Sequence, residues 1–346
     1  MATAAGERGV GATVSTIDYH TAGEPFRIVA DGLPEIPGAT VADRRVFAQG
    51  SAEVDRYRQL LVQEPRGHAD MYGGFVVPPD DDGAHFGVLF WHKDGYSTAC
   101  GHGTIALGVW AVEHGVVPSG PDGVTDVVID VPSGRVRASV HLRGGAVTGA
   151  TFVNVPSYVV ARALRVETEL GTVDADVSYG GAIYASVPAS AFGLEVTPEH
   201  YPALIAAGRA VKSALNDSPA AQHPEDPRLS GIYGTILYDD LGRDADGPHQ
   251  RNVTVFADGE VDRSPCGSGT SARLPLLVAD GLLADGETLT HDSIVGTRFT
   301  ARVREHFDVG GRAAVVPEVK GRASMTGEHR FVLRDDDEVG TGFTLR

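Results

Sequence analysis

The chain of 346 residues has only two cysteines, Cys100 and Cys266. Two thiols in a chain this long exclude a disulfide scaffold and leave packing or chemistry as their reason for being there. Basic residues are also scarce, 29 against 46 acidic, for a formal net charge of -17. That balance repels phosphate backbones and anionic lipid, so neither nucleic acid nor membrane is expected as a partner. No apolar run approaches a membrane span, and the opening residues lack the apolar core of a secretory signal. A cytoplasmic location is therefore expected, with residues 1–11 as a flexible tail. What is plentiful is glycine, 44 residues gathered in short motifs without low-complexity tracts. Such motifs suit tight turns and backbone that comes close to a ligand. The length favours two domains.

Residues 14–20 and 26–29 read as strands about a Gly-Glu-Pro break. Residues 41–62 read as one helix, and 75–77 and 86–91 as strands. A run of short strands follows over 124–153. A second helix is expected over about 198–215, with Thr197 as N-cap and Pro198 in the first turn. The charged stretch 239–246 reads as a solvated loop, and the end of the chain is strand-rich. Strands and helices mix without βαβ alternation, which points to an α+β fold rather than a doubly wound parallel sheet.

Internal similarity carries the most information. Cys100-Gly-His-Gly-Thr104 recurs as Cys266-Gly-Ser-Gly-Thr270, each after a polar turn and before a helix-like stretch. Gly115 and Gly281 close the two stretches at the same offset from their cysteines. Pro275 is expected to bend or split the second helix. A cysteine just ahead of a helix, followed by glycines, places a thiol at the partly positive helix end. That end favours a carboxylate and can draw a thiol pKa from about 8.5 toward neutrality. Two such ends facing each other would grip one carboxylate and leave a sulfur on each face of its α-carbon. Inversion of a stereocentre by proton transfer needs that arrangement, one thiolate as base and one thiol as acid. The carbanion would be stabilised as an enediolate, with no cofactor.

Together with Asp18-Tyr-His-Thr-Ala-Gly-Glu-Pro25, Arg66-Gly-His-Ala-Asp-Met-Tyr-Gly73, Tyr179-Gly-Gly-Ala182 and Asp262-Arg-Ser-Pro265, these motifs resemble the proline racemase family. The family includes hydroxyproline 2-epimerases and trans-3-hydroxy-L-proline dehydratases. The resemblance covers nearly the whole chain. It implies a diaminopimelate-epimerase-like fold of two pseudo-symmetric domains, each a sheet wrapped round a central helix. The first domain would span 12–157, with a strand over about 325–346 returning to it, and the second 158–324. The resemblance makes Cys100 and Cys266 the acid/base pair, and the backbone of Gly101, His102, Gly267 and Ser268 the carboxylate cradle. It brings Asp262 and His102 to the ring nitrogen. Asp262 also suits a cationic secondary amine on physical grounds, although a turn aspartate is the plainer reading. His68 and Tyr72 are candidate pocket residues. The implied partner is a small amino acid, proline or hydroxyproline, and such enzymes are commonly homodimers.

Two signals divide the reading. A cysteine at both positions is the racemase and epimerase pattern, whereas dehydratases of the family usually carry threonine at the second. Yet Gly95-Tyr-Ser-Thr98, Tyr179-Gly-Gly-Ala182 and the stretch 255–262 look more like the dehydratase branch. Weighting the reacting residues leads to a racemase or 2-epimerase, with a dehydratase second and a non-catalytic amino-acid-binding protein third. His20 with Glu24, and His68 with Asp70, show no recognised metal spacing, so no metal is expected. Arg66 and Glu64 are expected to pair locally or face solvent. Cys100 and His102 are expected to point apart, which argues against a cysteine hydrolase. The glycine loops lack the lysine of a phosphate-binding loop.

Overall fold

A computed structural model describes residues 10–345. Most of the expected tail therefore lies outside the described residues, and the first strand already begins at Val10. The first half opens with β1 (Val10–Thr21) and β2 (Glu24–Val29), joined by a tight turn in which Ala22 and Gly23 both have positive φ. Then come α1 (Val41–Gly50), α2 (Ala52–Val62), β3 (Tyr72–Val77), β4 (Phe86–His92), β5 (Gly95–Tyr96) and α3 (Gly101–Glu113). An antiparallel meander follows, β6 (Gly123–Val131), β7 (Gly134–Arg143) and β8 (Ala146–Val153).

The second half comprises β9 (Ser157–Thr168), β10 (Gly171–Tyr179), β11 (Ile183–Pro188), α4 (Tyr201–Leu215), β12 (Ile232–Asp244), β13 (Gly247–Phe256) and β14 (Glu260–Asp262). It continues with α5 (Gly267–Ala279), β15 (Leu289–Ser293), β16 (Arg298–Val309) and β17 (Arg312–Gly321). The last strand, β18 (Ala323–Arg334), crosses back and lies antiparallel along β1. Among the described residues all eighteen strands join one hydrogen-bonded sheet system, with β17 pairing to both β8 and β9 between the halves.

Two helices sit at the centre. α3 is buried at every position except its last, Glu113, and α5 is buried from Gly267 to Leu277. A helix buried on every side has no solvent face and must be wrapped. The sheet does this, and Leu274 and Leu277 of α5 join the same core as Ile105 and Val109 of α3. Outer helices complete each half: α1 and α2 cover β3 and β4 through Val41, Val54 and Leu61, and α4 covers β12 and β13 through Leu204 and Val211. Each such buried side chain contributes on the order of 1.5–3 kcal/mol. The architecture is the expected α+β fold, two halves each with a sheet around a central helix.

Several local expectations are corrected. The single helix expected over 41–62 is two, because Ser51 is extended (φ -100°, ψ 106°) and its side chain caps α2 by accepting from the Val54 N–H. The Pro198 segment is a short 3-10 turn ahead of α4, and the Thr197 side chain makes no cap bond there. Pro275 does not split α5. The stretch 239–246 is the tip of the β12–β13 hairpin rather than a free loop. Arg66 pairs with distant Asp337 at 2.6 Å rather than with Glu64, because the C-terminal segment returns here and bridges Phe343 to Glu64.

Candidate active site

Cys100 is the N-cap of α3 and Cys266 the N-cap of α5. Each thiol accepts a hydrogen bond from the amide three residues on, Gly103 N–H at 3.2 Å and Gly269 N–H at 3.3 Å. The matched threonines tie down the turns: Thr104 donates to the Cys100 carbonyl and Thr270 to the Pro265 carbonyl. Between the thiols, backbone meets backbone. A Cβ on Gly101 would stand 2.6 Å from Gly267 Cα, and one on Gly267 would stand 2.7 Å from Gly101 Cα. Only glycine permits this approach, and it brings two partly positive helix ends together.

Both thiols line one small cavity of about 10 Å³, together with His102, Asp262, Ser268 and Tyr72. That space holds about one water at most, so the two halves are closed on each other. Ala99, Tyr184, Tyr233 and Phe256 complete the wall. The sequence reading missed these four. Ala99 and Phe256 lie in or beside motifs already singled out, Tyr184 follows one by two residues, and nothing in the sequence pointed to Tyr233. His68 is not in the wall; its Nδ1 accepts from the Asp70 N–H at 3.2 Å within its own loop. A larger groove of about 960 Å³ beside Glu167 and Arg209 holds neither thiol.

Contrary to expectation, His102 meets Cys100. Its Nδ1 is 3.5 Å from the Cys100 sulfur and also 3.5 Å from Asp262 Oδ2. Capping folds the thiol back over the first helical turn, where the second residue of that turn can reach it. The Cys100 sulfur lies over the ring edge, 3.5 Å from Nδ1 and 3.6 Å from Nε2, rather than in line with the nitrogen opposite Asp262 as a hydrolase triad requires. Thr21 donates to the His102 carbonyl at 2.9 Å and fixes the ring's backbone.

Asp262 does serve its turn: Oδ1 accepts from the Ser264 N–H at 2.8 Å and hydroxyl at 2.6 Å. Burial opposes ionisation of this carboxyl. The neighbouring His102, by charge and hydrogen bond, and the Ser264 donors outweigh that and hold it below the usual carboxylate range. The strand that carries Asp262 is strapped to the first half. Arg263 pairs with Glu24 at 2.7 Å and lies 3.6 Å from Asp70, and the Val261 N–H donates to Asp70 at 3.1 Å.

The thiols differ from the expected pattern. Burial pushes both pKa values well up; the capping amides oppose this, while the charge of Asp262 adds to it. Desolvation in the closed cavity outweighs the helix ends, so both sulfurs are held protonated. Near Cys266 stand two hydroxyls, Tyr184 and Ser268, 2.7 Å from each other and each 4.0 Å from its sulfur. On the other side the Tyr72 hydroxyl makes a short bond to Ser97 and one of 2.9 Å to Tyr233.

The residues weighed as metal ligands do other work. His20 accepts from the Gly23 N–H in its turn, and Glu24 is taken by Arg263. Behind the cavity, His92, Asp94 and Glu260 converge within 4.8 Å. Lys93 sits 2.8 Å from Asp94 and 3.9 Å from Glu260 and already supplies a cation there. Among the described residues no helix is long and apolar enough to cross a membrane.

The chain is similar to known proteins. A 3-hydroxyproline 2-epimerase of Burkholderia multivorans is 46% identical over 336 residues, covering 96% of this chain and 98% of that protein. A trans-3-hydroxy-L-proline dehydratase of Burkholderia cenocepacia is equally similar, 46% over 336 residues with the same coverage. The crystal structure of a hydroxyproline epimerase from Agrobacterium vitis, with bound trans-4-hydroxy-L-proline, superposes with a TM-score of 0.89 at 32% identity, covering 97% of this chain and 96% of that one. The family model described as proline racemase matches residues 16–344, and the chain belongs to that family.

Proposed function

We propose that the protein inverts the α-carbon of proline or a hydroxyproline by a two-thiol proton transfer. The observation that carries this reading is the pair of cysteine-capped helix starts, touching at Gly101 and Gly267 and opening both sulfurs into one cavity with Asp262. The amides at the helix starts, from Gly101, His102, Gly267 and Ser268, receive the substrate carboxylate. Asp262, held ionised beside His102, receives the cationic ring nitrogen. The α-carbon then lies between the sulfurs. The thiolate on one face takes the α-proton, the carboxylate becomes an enediolate held by the amides, and the thiol opposite returns a proton.

The closed cavity sets two requirements. Residues 12–157 with 325–346, and residues 158–324, act as the two domains, and they part to admit the ring. One thiol must also lose its proton, which burial opposes. The cationic amine brought in by the substrate offsets that cost at the moment of closure. Free buried thiols suit a reducing cytoplasm, and we take the active species to be a homodimer.

A second reading is dehydration of trans-3-hydroxy-L-proline to pyrroline-2-carboxylate, with Cys100 as the base. It is favoured by the equal similarity to a relative with that name. Proton NMR in heavy water, with L-proline, trans-4-hydroxy-L-proline and trans-3-hydroxy-L-proline offered separately, tests both. Loss of the α-proton with appearance of the inverted configuration is the expected result. Consumption of the 3-hydroxy compound alone, without inversion, would replace the first reading by the second. No loss of α-proton from any of them would leave an amino-acid-binding protein.

A further inference from the structure

We propose that Tyr233, at the free end of a buried hydroxyl chain with Tyr72 and Ser97, reads the C3 hydroxyl of a 3-hydroxyproline and holds it for departure. The proposal rests on the function proposed above and names a substrate feature that the reading leaves open.

The assignment follows from what remains of the cavity. The helix starts take the carboxylate, and Asp262 takes the nitrogen. The ring carbons are then left to the wall of Tyr72, Tyr184, Tyr233 and Phe256. A hydroxyl on the ring needs a partner in that wall, because an unpaired buried hydroxyl is costly. The Tyr184 hydroxyl already has two neighbours on the Cys266 side, Ser268 at 2.7 Å and the Cys266 sulfur at 4.0 Å. The other phenols form a chain in which either oxygen of each hydroxyl–hydroxyl bond can donate. Ser97 reaches the Ala99 carbonyl at 3.4 Å, Tyr72 bonds Ser97, and Tyr233 bonds Tyr72 at 2.9 Å. Tyr72 therefore has two neighbours and Tyr233 only one among the described residues. Tyr233 keeps hydrogen-bonding capacity toward the cavity. Its ring is fixed by stacking on Phe256, with centroids 5.5 Å apart and planes 15° apart, and by the edge of Tyr184.

The chain lies on the Cys100 side. The Tyr72 ring packs edge-on against His102 at 5.1 Å, and His102 touches the Cys100 sulfur. Stereochemistry makes this the relevant side. In trans-3-hydroxy-L-proline the hydroxyl is trans to the carboxylate, so it shares a ring face with the α-proton. The thiol that removes the α-proton therefore faces the hydroxyl too. Burial keeps both phenols protonated; when Ser97 donates to Tyr72 and Tyr72 to Tyr233, the Tyr233 O–H is left to donate to the substrate hydroxyl.

Elimination then balances on one thiol. The Cα–H bond breaks and an S–H bond forms at Cys100. The electron pair left on Cα forms the C2–C3 double bond as the C3–O bond breaks. The departing oxygen, held by Tyr233, takes the proton from the Cys100 S–H and leaves as water. The thiolate is restored, and the enamine tautomerises to pyrroline-2-carboxylate. When the same hydroxyl is held but not released, Cys266 reprotonates the opposite face and the outcome is 2-epimerisation.

Tyr233→Phe tests this, since it keeps the stack on Phe256 and removes only the hydroxyl. Affinity for pyrrole-2-carboxylate, a flat acid without a ring hydroxyl, is measured by calorimetry as a check on the cavity. The expected result is a fall of about 30-fold or more in kcat/KM for trans-3-hydroxy-L-proline, with pyrrole-2-carboxylate affinity kept within about 3-fold. Ser97→Ala, which keeps both phenols and loosens their anchor, is expected to lower the same kcat/KM by several-fold. Unchanged turnover in Tyr233→Phe, or turnover and affinity falling together, would overturn the proposal. A wild-type protein that binds pyrrole-2-carboxylate but exchanges no α-proton would instead overturn the function on which it rests.

Discussion

The starts of α3 and α5 are copies of one device with unequal surroundings. Both cysteines cap their helices through the amide three residues on, at 3.2 and 3.3 Å. Both are followed by a glycine that touches its counterpart. Cys100, however, is extended (φ -154°) and has an imidazole against its sulfur. Cys266 has φ 61° and ψ 101°, where a side chain is strained, and has two hydroxyls nearby instead. In the proposed function, the matching helix starts set a sulfur on each face of the bound α-carbon. Asymmetry of the neighbours gives the two sulfurs different surroundings, with the imidazole at Cys100 only and the Tyr184 and Ser268 hydroxyls at Cys266 only.

The sharpest way to break this comparison is to remove one sulfur at a time. Cys100→Ser is expected to lower both inversion and elimination by about 10³-fold or more. Cys266→Ser is expected to lower inversion equally, while elimination of trans-3-hydroxy-L-proline stays within about 10-fold. NMR of α-proton exchange beside an assay for pyrroline-2-carboxylate separates the two. Loss of both reactions in both variants would mean that elimination also needs two thiols.

A smaller effect is expected at the contact between the copies. Gly101→Ala forces a methyl to within 2.6 Å of the Gly267 backbone, where no side chain can move aside. The helix starts must separate, and a misplacement of that order costs about 10²-fold in rate. Steady-state kinetics check it, with pyrrole-2-carboxylate affinity expected to fall in parallel.

His102→Ser turns the first loop's Cys-Gly-His-Gly into the second loop's Cys-Gly-Ser-Gly, and so removes the asymmetry directly. The expected fall is about 10-fold in kcat/KM. It must be equal in the two directions, since their ratio is fixed by the equilibrium constant. The asymmetry shows in alkylation instead: mass mapping should find the Cys100 rate changed and the Cys266 rate unchanged. In the wild type, burial raises both thiols above their ordinary value of 9.0, so alkylation of the ligand-free protein should keep rising beyond pH 9. For stability the sign is the same as for any group whose folded pKa is raised. The contribution is whole below the unfolded pKa near 9 and is lost as pH rises toward the folded values.

The repeat at Cys100 and Cys266 was legible because a thiol, two glycines and a threonine, twice at the same spacing, suit chemistry far better than packing. The α+β class was legible because strands and helices mix without βαβ alternation, whereas the sheet wrapped round a central helix came only with the family resemblance. What escaped depended on contacts between distant segments. Tyr233 carries no motif, and its place in the wall arises from stacking on Phe256 across the β12–β13 pair. Arg66 found Asp337 only because the chain end returns to the first half. Thiol acidity was misjudged because a helix end can be read from sequence, whereas the dryness of the cavity in front of it cannot. The break at Ser51 was missed because a single polar residue in a helical pattern reads as surface until its cap bond is seen.

The smallest expected effect concerns the backbone at the two caps. Cys100→Gly removes a buried sulfur and adds the entropy of glycine, together costing about 1.5–2 kcal/mol. Cys266→Gly incurs the same losses but relieves a positive-φ side chain, a strain of about 1–3 kcal/mol. The two terms nearly cancel, so the urea midpoint of Cys266→Gly should lie close to that of the wild type, with Cys100→Gly clearly lower. Equal lowering in both variants would mean that the Cys266 backbone is unstrained in solution, and that the two copies differ in their neighbours alone. The expected inequality would mean that strain is kept at the second thiol and absent from the first, since an inversion needs its sulfur aimed at the face that the first copy cannot reach.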